Sequence, residues 1–189
     1  MSSPRVWLME LIYFSFVMGL YGIGFWLPTI IKATGVTDAF AIGLLSAIPY
    51  AAAVVAMILI ARSADKRRER RWHVAIPAVF GALGLVLSVI WAHETALAML
   101  GLTLATMGIL TTLPLFWSLP TAFLGGAAAA AGIAMINSIG NLAGFLSPYM
   151  MGWLKQATSS NDAGMYMLAA FLVLGALLVL SVPKRLVDR

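Results

Sequence analysis

Two asparagines, Asn137 and Asn141, stand four residues apart inside an apolar run, and they are the residues of this sequence best suited to binding chemistry. They lie in TLPLFWSLPTAFLGGAAAAAGIAMINSIGNLAGFLSPYMMGW, Thr112 to Trp153, which carries no charged residue. Spacing of four puts both amides on one face of a helix. Each offers donors and an acceptor without the desolvation cost of a full charge, so the pair can hold hydroxyl or carboxylate oxygens. The alternative use is helix-to-helix glue, worth roughly 0.6–2 kcal/mol per hydrogen bond in a membrane. Trp117, near the end of the preceding apolar run, reads equally as an interfacial anchor or a pathway wall. Tyr21 and Trp26 in the first run pose the same choice.

Positioning such groups requires helices. The chain has 189 residues, 62% hydrophobic and 10% charged, with a mean hydropathy of +0.97. That composition belongs to the membrane class rather than to soluble domains. Six apolar runs follow one another: about 8–31, 41–61, 74–91, 96–117, 127–153 and 165–182. Six helices of about 20 residues with short loops use this length well. The expected fold is all-α, a polytopic membrane protein of six transmembrane helices in one domain, 1–189, with the first run a retained helix rather than a cleaved signal. Pro49 and Tyr50 fall mid-span, where a kink is expected. Leu119 to Gly126 reads as a corner, and Gly140 to Gly144 as a close-approach surface.

Charge is confined to span ends. The segment 62–73 holds Arg62, Asp65, Lys66, Arg67, Arg68, Glu69, Arg70 and Arg71, a short basic loop of the kind retained in the cytoplasm. Threading six spans with that loop inside puts ten of the 12 bases on the cytoplasmic side, leaving Lys32 and Lys155 outside. Both termini are then cytoplasmic. The basic cluster is tied to two spans and has no reading domain, so nucleic acid is not an expected partner; the bilayer is. Glu10, two residues into the first run, reads as a carboxylate near the headgroups, with an ion-coupling role as the alternative. No other charge falls within a span.

Enzyme chemistry finds no footing. Cysteine is absent, and neither HExxH nor GxSxG occurs. His73 and His93 flank one span and so lie at opposite membrane faces, which argues against a shared metal. No metal site and no cofactor are expected.

The stretches YGIGFWLPTIIK, ARSADKRRERRWH, FWSLPTAFLGG and AAAAGIAMINSIGNLAGFLSPYMMG together resemble the C-terminal half of the anion:cation symporter family, within the major facilitator superfamily. The resemblance runs from about Leu8 to Val182. It implies a 3+3 inverted repeat with triplets at about 8–91 and 96–182, and a substrate site between two halves near the midplane. It further implies contact of Asn137 with a small organic carboxylate, with Trp117 lining the cavity and Asn141 and Tyr21 nearby. Asp65, Arg70 and Arg71 would stabilise a closed cytoplasmic gate. Two positions depart from the family's loop pattern, Ala61 for glycine and Lys66 for arginine. The family's reaction is symport of a carboxylate with a proton across the bacterial inner membrane. Its substrate arginine and proton-carrying carboxylates come mainly from the N-terminal half, so a missing half or partner chain is implied. A non-transporting scaffold or assembly subunit is the other expectation.

Overall fold

The computed structural model describes residues 4–187, except for the side chains of Ala127 and Ala128. Arg189, counted above among the cytoplasmic bases, lies outside the described residues. Six spans of helix, long and apolar enough to cross a membrane, run through the chain. They comprise α1 (Pro4–Ala33), α2 (Ala39–Arg67), α3 (Arg71–Ile90), α4 (Thr95–Phe116), the pair α5 (Gly126–Asn141) and α6 (Ala143–Thr158), and α7 (Asp162–Ser181); a short α8 (Lys184–Val187) follows. The expected all-α, six-span membrane fold is what the chain adopts.

Helix ends are set by local chemistry. Asp38 caps α2, its Oδ2 accepting the Ala41 N–H at 2.7 Å. Glu69 caps α3 by accepting the Trp72 N–H at 2.9 Å. The corner before α5 is a 3-10 turn, Pro120–Ala122, ended by Gly125 and by Gly126 at φ 59°. That backbone is cheap only for glycine.

Packing without a hydrophobic driving force depends on close backbone approach. The α3–α4 pair shows this most directly. A Cβ on Gly84 would collide with the backbone of Ala105, one on Gly101 with Ser88, and one on Gly108 with Gly81. Between α1 and α7, Gly22 faces Leu168, Gly19 faces Leu172 and Phe16 faces Gly175, so the two helices run antiparallel. Phe16, Leu85, Leu102, Ile109, Phe116 and Leu172 are buried where α1, α3, α4 and α7 meet. By contrast, α2 leaves Leu44, Ile48, Val54, Val55, Ile58 and Leu59 exposed, an outer surface suited to lipid rather than water.

Three boundaries differ from the sequence reading. The basic segment 62–73 is mostly helical, because α2 continues to Arg67 and α3 begins at Arg71. Apolarity marks the membrane, whereas a helix of good helix-formers continues past it. The fifth span is divided at Leu142 instead of forming one helix. Finally, α1 begins at Pro4, so Glu10 lies well inside it. Glu10 is 1% exposed, so protein rather than water surrounds its side chain.

Candidate functional site

Asn137 and Asn141 project from α5 beside Tyr13 and Tyr21 of α1. The Asn141 Nδ2 donates to the Asn137 backbone oxygen at 2.8 Å and to its Oδ1 at 2.9 Å. The Tyr13 hydroxyl donates to the same Oδ1, and the Tyr21 hydroxyl to the Asn141 Oδ1, both at 3.5 Å. Those two bonds are long for O–H···O and open to replacement by a ligand or water. Asn137 therefore has its oxygen engaged twice, while its Nδ2 hydrogens make no bond among the described residues. Both asparagines are exposed and both tyrosines half-buried. In a membrane-spanning segment, that is a polar face without a cover.

The tyrosine rings are placed by glycine. A Cβ on Gly140 would enter the Tyr13 ring at Cδ1, and one on Gly144 would come within 3.0 Å of Tyr21 Cε2. Each glycine lies three residues after the asparagine its tyrosine contacts, so ring and amide share one helix face. The Ser147 hydroxyl, donating to the Met18 carbonyl at 2.6 Å, holds α6 to α1 beside them.

Trp117, at the end of α4, packs on Tyr13 with centroids 4.9 Å apart, and Tyr13 stacks on Phe116 at 5.0 Å. Trp117, Tyr13, Asn137, Asn141 and Tyr21 thus form one continuous chain of contacts. The four residues expected from sequence are brought together, but through Tyr13, which that reading missed. A tyrosine eight residues before Tyr21 in an apolar span was the available signal, since its hydroxyl needs a partner there. Beside Tyr21, a recess of about 300 Å³ is lined by Leu20, Gly24 and Phe25. Trp26 belongs elsewhere: Lys155 Nζ stands 5.1 Å from its ring centroid, a cation–π contact.

The basic segment is tied to helix ends. Arg70 Nη1 donates to the Ser118 carbonyl at 2.8 Å, the residue after Trp117. Arg71 Nη1 donates to the carbonyls of Leu180 and Val182, where α7 ends. Cations suit helix C-termini, whose last carbonyls lack partners. Asp65 is exposed, and its side chain makes no hydrogen bond or ion pair among the described residues. His73 joins α3 to α2, with Nδ1 2.9 Å from Glu69 Oε2 and Nε2 3.1 Å from Ser63 Oγ. A groove of about 480 Å³ lies beside it, its apolar wall formed by Leu59, Ile60, Trp72, Ile76 and Pro77, and it shares no lining residue with the Tyr–Asn cluster.

Six membrane-spanning helices with a polar, exposed patch on one face describe a half-domain of a polytopic membrane transporter. Residues 1–148 match the sequence profile of the Major Facilitator Superfamily, and the chain belongs to that superfamily. Among similar proteins are one from Agrobacterium vitis named for tartrate transport, 45% identical over 184 residues, covering 97% of this chain and 42% of that protein. NicT of Pseudomonas putida, named as a metabolite transport protein, is 39% identical over 185 residues, covering 98% and 42%. A quinolone resistance transporter of Acinetobacter baumannii is 37% identical, covering 98% and 43%. The chain spans about two fifths of the length of these relatives. All three are transporters by name, and the chain is a transporter domain rather than an enzyme.

Proposed function

We propose that this domain is the C-terminal half of a proton-coupled carrier of small organic anions, and that Asn137 contacts the carried carboxylate. The supporting observation is the free Asn137 amide on an exposed face, with its oxygen already occupied by Tyr13 and Asn141. An amide held this way presents N–H groups to an anion. Asn141 and Tyr21 orient it and extend the polar surface, and Trp117 and Tyr13 form an aromatic wall. A second six-helix half would cover this face, enclose the site near the midplane and rock against it to expose the substrate to each side in turn. The arginine for the carboxylate charge would come from that half, since the Tyr–Asn cluster contains no cation. A scaffold would bury these amides in helix contacts, contrary to their exposure.

Arg70 contributes to the cytoplasmic gate by anchoring the segment that carries Trp117, and Arg71 by fixing the end of α7. Asp65, exposed and without a hydrogen bond or ion pair among the described residues, is available to the opposite half. The carrier resides in the bacterial inner membrane, with the basic end of α2 and both chain ends in the cytoplasm.

The test is Asn137→Ala in a two-half carrier, this chain joined to an N-terminal six-helix half. Loss of a hydrogen bond to a charged group, about 1.5–3 kcal/mol, raises the KM for uptake roughly 10- to 150-fold at unchanged membrane abundance. Parallel loss of abundance and uptake would assign Asn137 to helix packing instead.

A further inference from the structure

Glu10 lies six residues into α1, about 9 Å along its axis and one turn before Tyr13. It is 1% exposed, and neither carboxylate oxygen has a hydrogen-bond partner among the described residues. The elements with the most extensive packing on α1 are α7, α5, α6, α4 and α2, and just past the end of α7 stand Lys184 and Arg185 of α8, both exposed. The antiparallel register of α1 and α7 brings Glu10 level with the end of α7, whose titratable residues, Asp162 and Tyr166, stand at its other end. Neither α4 nor α5 carries a titratable side chain. Those of α6, Tyr149 and Lys155, lie beyond the Leu142 break, toward the Trp26 end of α1.

Near the Glu10 end, α2 presents Arg62, Asp65, Lys66 and Arg67, all exposed, and α1 itself presents Arg5, exposed, and Tyr13. Arg70 and Arg71 of the neighbouring α3 entry bind helix-end carbonyls. No described cation forms an ion pair with Glu10. A carboxylate with neither an ion-pair nor a hydrogen-bond partner is costly to bury charged, even with the Arg71 guanidinium at the same end of α7, whereas the neutral acid loses far less on leaving water.

We propose that Glu10 is a proton-binding site of this half, a neutral carboxylic acid in the packed arrangement that exchanges its proton with cytoplasmic water when the first turns of α1 open. The step is simple association: the carboxylate takes one proton from water on the cytoplasmic side and returns it there or onward when hydrated. The proposal rests on the transport reading for its role, since it gives this half a proton of its own one turn from Tyr13.

The experiment uses the full chain in lipid nanodiscs, without any organic acid, treated with dicyclohexylcarbodiimide and mapped by peptide mass spectrometry. This reagent adds to protonated carboxyls in apolar surroundings. Expected is an adduct on Glu10 at pH 7 and none on the exposed Asp65 and Glu94, with labelling that falls about tenfold per pH unit once Glu10 ionises. An infrared protonated-carboxyl band, present in the parent chain and lost in Glu10→Gln, supports the same conclusion even where the reagent cannot enter. Absence of both adduct and band overturns the proposal, as does labelling of Asp65 at the rate of Glu10. Either result is read without transport, so a failure here leaves the anion-carrier reading intact, and failure of that reading leaves the protonation result standing.

Discussion

Asn137 keeps its amide hydrogens available because its neighbours take its oxygen, and those neighbours are held in turn by what lies under them. Tyr13 reaches Asn137 only because Gly140 leaves room for its ring. Two substitutions separate the ring from its hydroxyl. Tyr13→Phe keeps the ring against Trp117 and removes one long hydrogen bond, worth about 0.6 kcal/mol, so substrate affinity in the two-half carrier should change by less than about threefold. Gly140→Ala drives a methyl into the ring, an overpacking cost of about 1–3 kcal/mol, and should weaken affinity about five- to 150-fold. Equal effects, measured as KM at matched abundance, would mean that the hydroxyl matters more than ring placement. The asparagines were legible in the sequence because polarity is conspicuous in an apolar run. Tyr13 was not, because an aromatic residue in a span is ordinarily packing. Its contact with Asn137, 124 positions away, arises only from the pairing of α1 with α5.

At the scale of helices, the sequence identifies spans better than ends. Apolar runs report where lipid is, and α2 shows the difference by carrying its helix to Arg67 through four charged side chains. The Leu142 break was harder to foresee. Gly140, Gly144 and Pro148 mark a weakened span, but the added factor is Asn141, whose side chain bonds back to the carbonyl of Asn137 in competition with the helical ladder. Leu142 then donates to Ile139 at 3.1 Å, a tighter turn of the kind found at hinges. The basic segment makes an orientation prediction that the absence of native cysteine simplifies. A single Arg67→Cys should be labelled by an impermeant maleimide only after the cytoplasmic face is opened, and a single Ser159→Cys in intact cells. The reverse pattern would invert the topology.

For the whole molecule, the exposed polar face and the partial coverage of the relatives point the same way. A patch made of Trp117, Tyr13, Asn137, Asn141 and Tyr21 is poorly suited to lipid, and the chain spans about two fifths of its transporter relatives. The charge pattern supplied a consistent threading, but it carried no sign that Glu10 is buried, because burial depends on the neighbouring helices. In the proposed two-half carrier, substrate choice would rest with both halves together, since side chains from either side would line the cavity. The most direct measurement is gradient-driven uptake of a labelled panel of small carboxylic acids into proteoliposomes. It would compare this chain alone with the chain reconstituted with the N-terminal half of the Agrobacterium vitis relative. Uptake of at least one acid by the pair, and of none by the folded chain alone, is the predicted result. Gradient-driven uptake by the chain alone would contradict the half-carrier account.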